Sequence, residues 1–549
     1  MALPPGVTAK TFAEANRLFK EAVGKQWVFT KQADVDLYRD AYSVLRGEPD
    51  ERVASAAVAP ATVEEVQKVV RIANEHRIPI YPISTGRNLG YGGSAPVLSG
   101  SVVLDLKRMN KVLDVNERNA TCLVEPGVSY FDLYRHIQER GLKVWVDVPD
   151  PGWGSPIGNA LDHGGGYTMT PFRNHFDSHC GMEVVLANGE LLRTGMGALP
   201  GSKTWQDYKF GVGPVIDGLF SQSNFGVVTK MGFWLMPQPD AYLTGSLTVA
   251  NYDDLIPMVD ILTYLENSGV CNGMPGLGSP LLNAGAIASD RELAAIRRKP
   301  GGGTQQELEA YARKKGTPFW SCTLKFYGPE KAIRELWNYS KEKFSVIKGV
   351  QFQDGPMFKL PLTPEQLASK AVHRTEGGEV GLPEFGVPSL EMFSIGARSP
   401  VNPEPRWGHA WFSPIIPRTG EAILEANRVF ADAAREIGMP YDGFSMPSTY
   451  WARSFIFIFG FPVTNDATEN AKMRGYFRQM VKIGAEHGWG EYRTIPAMYD
   501  DVLDTYSFNN HALGRFHQTL KDAVDPNGII SAGRYGIWPR HLRKKGRAR

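Results

Sequence analysis

The sequence predicts an α+β protein built from two domains, and three observations carry that expectation. From the N-terminus to about Pro237, short strands and helices alternate with glycine-rich loops at strand ends. From Tyr242 the pattern becomes strand then amphipathic helix, twice, interrupted by a polar glycine-rich stretch at residues 300–306. Near Asp525 the glycine loops return in DPNGIISAGRYG, so the chain end is expected to rejoin the first domain. The length of 549 residues agrees, because single cores stop growing at about 250–300 residues.

Residues 8–23 open the chain with an amphipathic helical pattern. SAAVAP reads as a strand, and ATVEEVQKVVRIANEHRIPIYPIS as a helix followed by a second strand. Val63, Val66, Val69, Val70 and Ile72 recur near helical spacing, Thr62 stands at the N-cap, and the strand begins after Arg77. TGRNLGYGG is too rich in glycine for either element. Strands follow at residues 102–104 and 112–115, and ATCLVEPGVSYFDLYRHIQERG supplies strand, turn and helix. In the second domain TGSLTVANYDDLIPMVDILTYLENSG and CTLKFYGPEKAIRELWNYSKEKF form a weak internal duplication, with 300–306 expected as a surface loop between them. SFIFIFGFPV, at 454–463, is the densest apolar run, and its length suits one buried strand rather than the ~18 residues of a membrane span.

Hydrophobic residues at 42% and charged ones at 21% are those of an ordinary globular protein and exclude wholesale disorder or a fibrous repeat. Lysine and arginine number 60 against 58 acids, and six of those bases sit in the last ten residues, leaving 54 against 58 elsewhere. That balance lacks the positive field of a nucleic-acid binder, and the basic tail reads as a solvated terminus. Four widely spaced cysteines without a CxxC indicate neither a disulfide framework nor a metal site and suit a reducing, cytoplasmic compartment. No basic stretch followed by an apolar core opens the chain, so neither a secretory signal nor a membrane anchor is expected.

Two loops carry the chemistry. STGRNLGYGG, Ser84 to Gly93, offers consecutive backbone amides among small side chains, an arrangement that can wrap a pyrophosphate. It is not a Walker loop, and Gly86, Gly90, Gly92 and Gly93 miss the GxGxxG spacing. A second cluster, DPGWGSPIGNALDHGGGYT, occupies 150–168. Two such loops on one domain point to a large phosphate-bearing cofactor.

PISTGRNLGYGGSAP, LVEPGVSYFDLY, DVPDPGWGSPIGN, GMEVVLANGELLRTGMGALPG, DGLFSQSNFGVVTKMGFWLMP, GWGEYRT and AVDPNGIISAGRYGIWP together resemble the vanillyl-alcohol oxidase and 4-cresol dehydrogenase family of FAD enzymes. The resemblance implies a p-cresol-methylhydroxylase-type (PCMH-type) FAD-binding domain at 1–240, an α+β cap domain for substrate at 241–499, and a segment at 500–549 rejoining the first domain. It further implies that Ser84, Thr85, Gly86, Arg87, Asn88 and Gly90 cradle the pyrophosphate. Pro126, Gly127, Ser155, Gly158, Asn159, Gly166 and Val228 would line the rest of the FAD channel, and Arg534 would approach the flavin. His409, in RWGHAWFSPII, matches the histidine that bonds covalently to the flavin. The stretch SLEMFSIGARSPVN lacks the tyrosine that the cytochrome-linked relatives use instead. No helper histidine precedes SAAVAP, which predicts slower or differently assisted attachment.

By the same resemblance Tyr91, Tyr492 and Arg493 form a phenolate-binding trio. An arginine and two phenol donors around one oxygen favour its anion and lower the substrate's pKa from near ~10. Neighbours on a regular strand point to opposite faces, so Tyr492 and Arg493 can share a pocket only at an irregular or terminal position. Asp150 in DVPD matches the carboxylate close to flavin N5. Tyr450, Trp451, His163 and His175 stand where relatives differ and imply an altered, roomier substrate pocket, with packing the equal alternative for each. The implied activity is hydride removal from the benzylic carbon para to a phenolate oxygen, giving a p-quinone methide that takes up water or is oxidised further. The acceptor would be O₂, giving hydrogen peroxide, or alternatively a c-type cytochrome. A homo-oligomer, a dimer or a larger assembly, is implied, and a non-catalytic flavin-binding scaffold is the rival of another class.

Overall fold

The computed structural model describes residues 3–40, 43–88, 90–282, 284–369, 382–390, 407–439 and 448–543. Most of SLEMFSIGARSPVN and the basic residues of the tail beyond Arg543 lie outside the described residues.

The first sheet has the order Val28–Phe29, Ala56–Val58, Val102–Asp105, Ile80–Ile83. Ala56–Val58 and Ile80–Ile83 both run parallel to Val102–Asp105 between them. Parallel strands need a crossover, which the helix Val63–Glu75 supplies. Thr62 caps it as expected, its side chain accepting from the Glu65 N–H at 3.2 Å. The face Val66, Val69, Val70 and Ala73 packs with Phe12, Ala15 and Phe19 of the helix Ala9–Val23. A second, antiparallel sheet follows in the order Val112–Asn116, Thr121–Val124, Val227–Trp234, His179–Val185, Leu191–Arg193. The chain end returns to the first sheet: the Ile80 N–H donates to Ile529 O at 2.7 Å, and Ser531 N–H to Ile80 O at 2.8 Å. Fully buried Lys521 holds this return by donating to the carbonyls of Asn224 and Ile530 and to the Asp525 carboxylate, each at 2.7 Å.

The two strand-plus-helix units are direct neighbours in a third sheet, ordered Gly276–Gly278, Trp320–Gly328, Ala241–Val249, Gln351–Lys359. Trp320–Gly328 and Ala241–Val249 pair in register over nine residues, and the helices Leu255–Asn267 and Glu330–Phe344 follow them.

Two expectations fail here. Of the expected surface loop at 300–306, residues 301–303 are buried, while 300 and 304–306 are exposed. Gly301 lies against the helix Gly420–Glu436 so closely that a Cβ would sit 2.5 Å from Arg435 Nε, and a chain lacking side chains can be buried however polar its surroundings read. SFIFIFGFPV is two strands in different sheets. Ser454–Ile456 pairs with Ile415–Pro417, and Phe459–Thr464 pairs with Trp407–Phe412. The chain switches sheets at Phe457 and Ile458, where the Phe457 N–H donates to Pro414 O at 2.9 Å. The four cysteines are buried free thiols, and among the described residues no helix is long and apolar enough to cross a membrane.

Candidate active site

A cavity of about 500 Å³ lies between the loops of the first two sheets and the strands around Trp411, Trp451 and Ile456. Its size is that of a cofactor site. Ser84, Gly86, Arg87 and Asn88 from the first glycine loop line it, as do Pro126, Ser155, Gly158, Asn159, Val228 and Arg534. Arg87 lies over the Trp153 ring at 5.3 Å. Thr85 sits between two lining residues with its hydroxyl buried and without a hydrogen-bond partner among the described residues. An orphaned hydroxyl in a loop of backbone amides fits a phosphate-bearing group. Gly127 stays behind the wall against the Lys107 carbonyl, and Gly166 packs on Asp147 and His175.

His409 stands on the strand Trp407–Phe412, two residues before Trp411 and so on the same face. Trp411 lines the cavity, and the two ring centroids are 4.2 Å apart. Gly90 passes over both: at φ +83°, with an added Cβ only 2.5 Å from Trp411 and 2.8 Å from His409, glycine is required there. His409 is itself 6% exposed and lies behind the loop.

Tyr91, Tyr492 and Arg493 converge. The Arg493 guanidinium lies 3.8 Å from the Tyr91 ring and 5.5 Å from the Tyr492 ring, and all three residues line the cavity. They meet because the chain leaves its bridge with Pro414 at Glu491 and bends through Tyr492 and Arg493. Arg493 Nη1 donates to the Asp162 carbonyl at 3.3 Å, and its Nε–H has no partner among the described residues. Burial opposes the charge on Arg493, yet Tyr492, Tyr91 and Asp162 outweigh it and hold the guanidinium above its ordinary value. Tyr91 shares a hydrogen bond with Ser413 at 2.6 Å. Asp150 lines the cavity and accepts a hydrogen bond from the Tyr167 hydroxyl. Trp451 is also on the wall, its ring edge-on to Tyr492 at 5.0 Å. Tyr450 belongs to the same strand, Ser448–Trp451, and its side chain lies outside the described residues.

His163 and His175 stand off the cavity wall and serve as packing, the alternative to shaping the substrate pocket. A left-handed backbone at His163 (φ +53°) turns its ring to Ser221 at 3.0 Å and onto Phe176 at 5.2 Å. His175 is drawn into a buried network with Asp147 at 2.7 Å, Tyr130 at 3.1 Å and the Asn159 side chain. Four residues of the site went unnoticed in the sequence: Asp162, Tyr167, Ser413 and Glu491. The first two lie inside the second glycine cluster, where an ionisable or phenolic side chain among glycines was the available signal.

Residues 54–195 match a family described as an FAD binding domain. The flavoprotein subunit of 4-cresol dehydrogenase (hydroxylating) from Pseudomonas putida is 32% identical over 543 residues, 97% of each chain. A 4-ethylphenol oxidase from Gulosibacter chungangensis, solved with isoeugenol, superposes with a TM-score of 0.80 at 35% identity, over 99% of this chain and 100% of that one. Substrate-bound p-cresol methylhydroxylase gives a TM-score of 0.80 at 31% identity, covering 98% and 99%. Likeness of this extent, over a cavity whose loops fit FAD, places the chain in the vanillyl-alcohol oxidase and p-cresol methylhydroxylase family of FAD-dependent oxidoreductases.

Proposed function

We propose that the protein oxidises 4-substituted phenols, of the vanillyl alcohol, eugenol or 4-alkylphenol type, bound as phenolates beside FAD. Arg493 carries this reading. It is a cation on the cavity wall with no carboxylate partner among the described residues, an unused Nε–H, and two phenol side chains beside it. Such a charge favours an anion over a neutral phenol. The names of the relatives, 4-cresol dehydrogenase and 4-ethylphenol oxidase, support the same substrate class.

Ser84, Thr85, Gly86, Arg87, Asn88 and Gly90 would hold the pyrophosphate, with Pro126, Gly127, Ser155, Gly158, Asn159, Gly166 and Val228 along the remaining channel, Arg534 near the flavin and His409 as its covalent anchor. Residues 1–240 and 500–549 would form the flavin-binding domain and 241–499 the cap. Bound FAD supplies the acceptor for a hydride from the benzylic carbon of the substituent para to the phenolate oxygen. Loss of that hydride from a phenolate leaves a neutral p-quinone methide, so the ionised state that Arg493, Tyr91 and Tyr492 favour is the one that reacts. Asp150, held by Tyr167, would take the proton of the water that adds to the benzylic carbon. Substrates already bearing a benzylic hydroxyl would instead lose its proton and leave as carbonyl compounds.

We take O₂ as the acceptor that reoxidises the cofactor, in line with the oxidase relative, and a c-type cytochrome as the second reading, in line with the dehydrogenase subunit. The deciding experiment is anaerobic mixing with a 4-alkylphenol and with its methyl ether. Bleaching of the flavin by the phenol alone is expected. Equal bleaching by both would overturn the phenolate reading, and bleaching by neither would favour a scaffold. Oxygen uptake on re-aeration separates the two acceptors.

A further inference from the structure

We propose that Asp162 is a positioning residue that sets the charge at the phenol-binding end of the cavity, binding both arginines there and cancelling one of their two charges. The inference rests on the phenolate reading of the site. Asp162 ends the helix Pro156–Leu161 and lines the cavity with Arg493 and Arg534. Its carboxylate accepts from Arg534 Nη2 at 2.5 Å and from the Tyr535 hydroxyl at 3.2 Å, while its carbonyl accepts from Arg493 Nη1 at 3.3 Å. Arg534 Nη1 donates in turn to the Tyr81 hydroxyl at 3.0 Å. One residue therefore fixes two guanidinium groups brought from Arg493 and Arg534, 331 and 372 residues further along the chain.

The titratable groups around Asp162 are Arg534, Arg493, His163, Tyr81, Tyr499 and Tyr535. None of them is a carboxylic acid. Among the described residues Asp162 offers the one carboxylate within hydrogen-bond distance of either guanidinium. Burial works against the charge on Arg534, and Asp162, ahead of Tyr81, Tyr499 and Tyr535, holds that guanidinium well above its ordinary value. The carboxylate thus balances Arg534 and leaves Arg493 with one uncompensated charge. A single phenolate then brings this end of the cavity to neutrality, which favours a monoanion without the cost of two bare buried cations.

The test follows the ionisation of a bound phenol that cannot react. 4-Nitrophenol has a coloured anion and no para carbon that can give up hydride, and difference spectra on the oxidised holoenzyme report its ionisation against pH. In the wild type it should ionise at lower pH than in water. Asp162→Asn keeps the shape and an acceptor oxygen for Arg534 while leaving both arginines unbalanced. Its bound phenol should ionise lower still, by about one pH unit, a tenfold change in the ionisation constant. Asp162→Glu should restore the wild-type value. Arg534→Gln, which unbalances the carboxylate instead, should move it the opposite way and serves if Asp162→Asn fails to fold. A wild type that does not lower the ionisation overturns the phenolate reading. A wild type that does, with Asp162→Asn or Arg534→Gln unshifted or merely weaker in binding, overturns the role of Asp162.

Discussion

The Ser413 and Tyr91 hydroxyls lie 2.6 Å apart, both residues buried, and join segments 322 residues apart in the chain. Ser413 follows the strand that carries His409. Its carbonyl accepts from the Tyr492 N–H at 3.4 Å, and its own N–H donates to the Glu491 carboxyl at 3.2 Å. One serine thereby ties together Tyr91, Tyr492 and the segment bearing His409. Ser413→Ala should remove one buried hydrogen bond, worth about 0.5–1.5 kcal/mol, and raise KM for a 4-alkylphenol about two- to tenfold. Flavin content, read from the visible spectrum, should stay at the wild-type level. An unchanged KM would mean that the Tyr91 hydroxyl takes no part in phenol binding.

His409 lies against Gly90, at the wall that Trp411 lines, which is where a covalent anchor for the cofactor is proposed. Acid precipitation of the wild type should leave yellow colour in the pellet, and His409→Ala should release it to the supernatant. Colour retained by the His409→Ala pellet would place any link on another side chain. With no histidine before SAAVAP to assist, apoprotein mixed with free FAD should first bind it reversibly and turn acid-stable only slowly.

Glu491 is 5% exposed, and burial pushes its carboxyl well above the ordinary carboxylate range, against the smaller opposing effects of the Ser413 N–H and Thr494. The folded protein therefore keeps a proton that the unfolded chain loses above 4.5, the ordinary value. The stability this group contributes is greatest below that pH and declines as pH rises toward the folded-state pKa. Glu491→Gln keeps an acceptor for Ser413 and removes the titration. Its Tm should gain on the wild type as pH is raised from about 5 to about 8. Parallel Tm curves would show that Glu491 does not titrate abnormally.

Thr62 and the helix after it, the glycine loops, and the meeting of Tyr91 with Tyr492 and Arg493 were all legible in the sequence, because each rests on a local pattern or a long matching run. Asp162 and Ser413 were not. Their meaning lies in partners hundreds of residues away, and neither stands in a spacing that announces a role. The switch between sheets inside SFIFIFGFPV was hidden for another reason: a continuous apolar run has no period to mark where its pairing changes. His163 and His175 misled in the opposite sense. Departure from the family pattern suggested a pocket, whereas a left-handed turn and the Asp147 carboxylate point their rings elsewhere.

Glu266 is buried between two arginines, receiving hydrogen bonds from Arg173 and from Arg418. Arg173 is fully buried, and its carbonyl accepts from the Gly166 N–H at 3.0 Å. Arg418 Nη1 donates to the Trp451 carbonyl at 2.6 Å. The triad therefore links the second glycine cluster to the helix Leu255–Asn267 and to the strand that places Trp451 on the cavity wall. Removing the one acid should cost far more than removing one base. Glu266→Ala leaves two uncompensated buried cations and should lose about 3–5 kcal/mol in urea unfolding. Arg418→Met leaves the Arg173 and Glu266 pair neutral, so its loss should be clearly smaller. Because that substitution frees the Trp451 carbonyl, and the Trp451 ring stands edge-on to Tyr492, it should shift KM for bulky phenols more than for 4-methylphenol. Equal losses in the two variants would show that charge balance does not govern the triad, and an unshifted KM ratio would detach it from the substrate pocket.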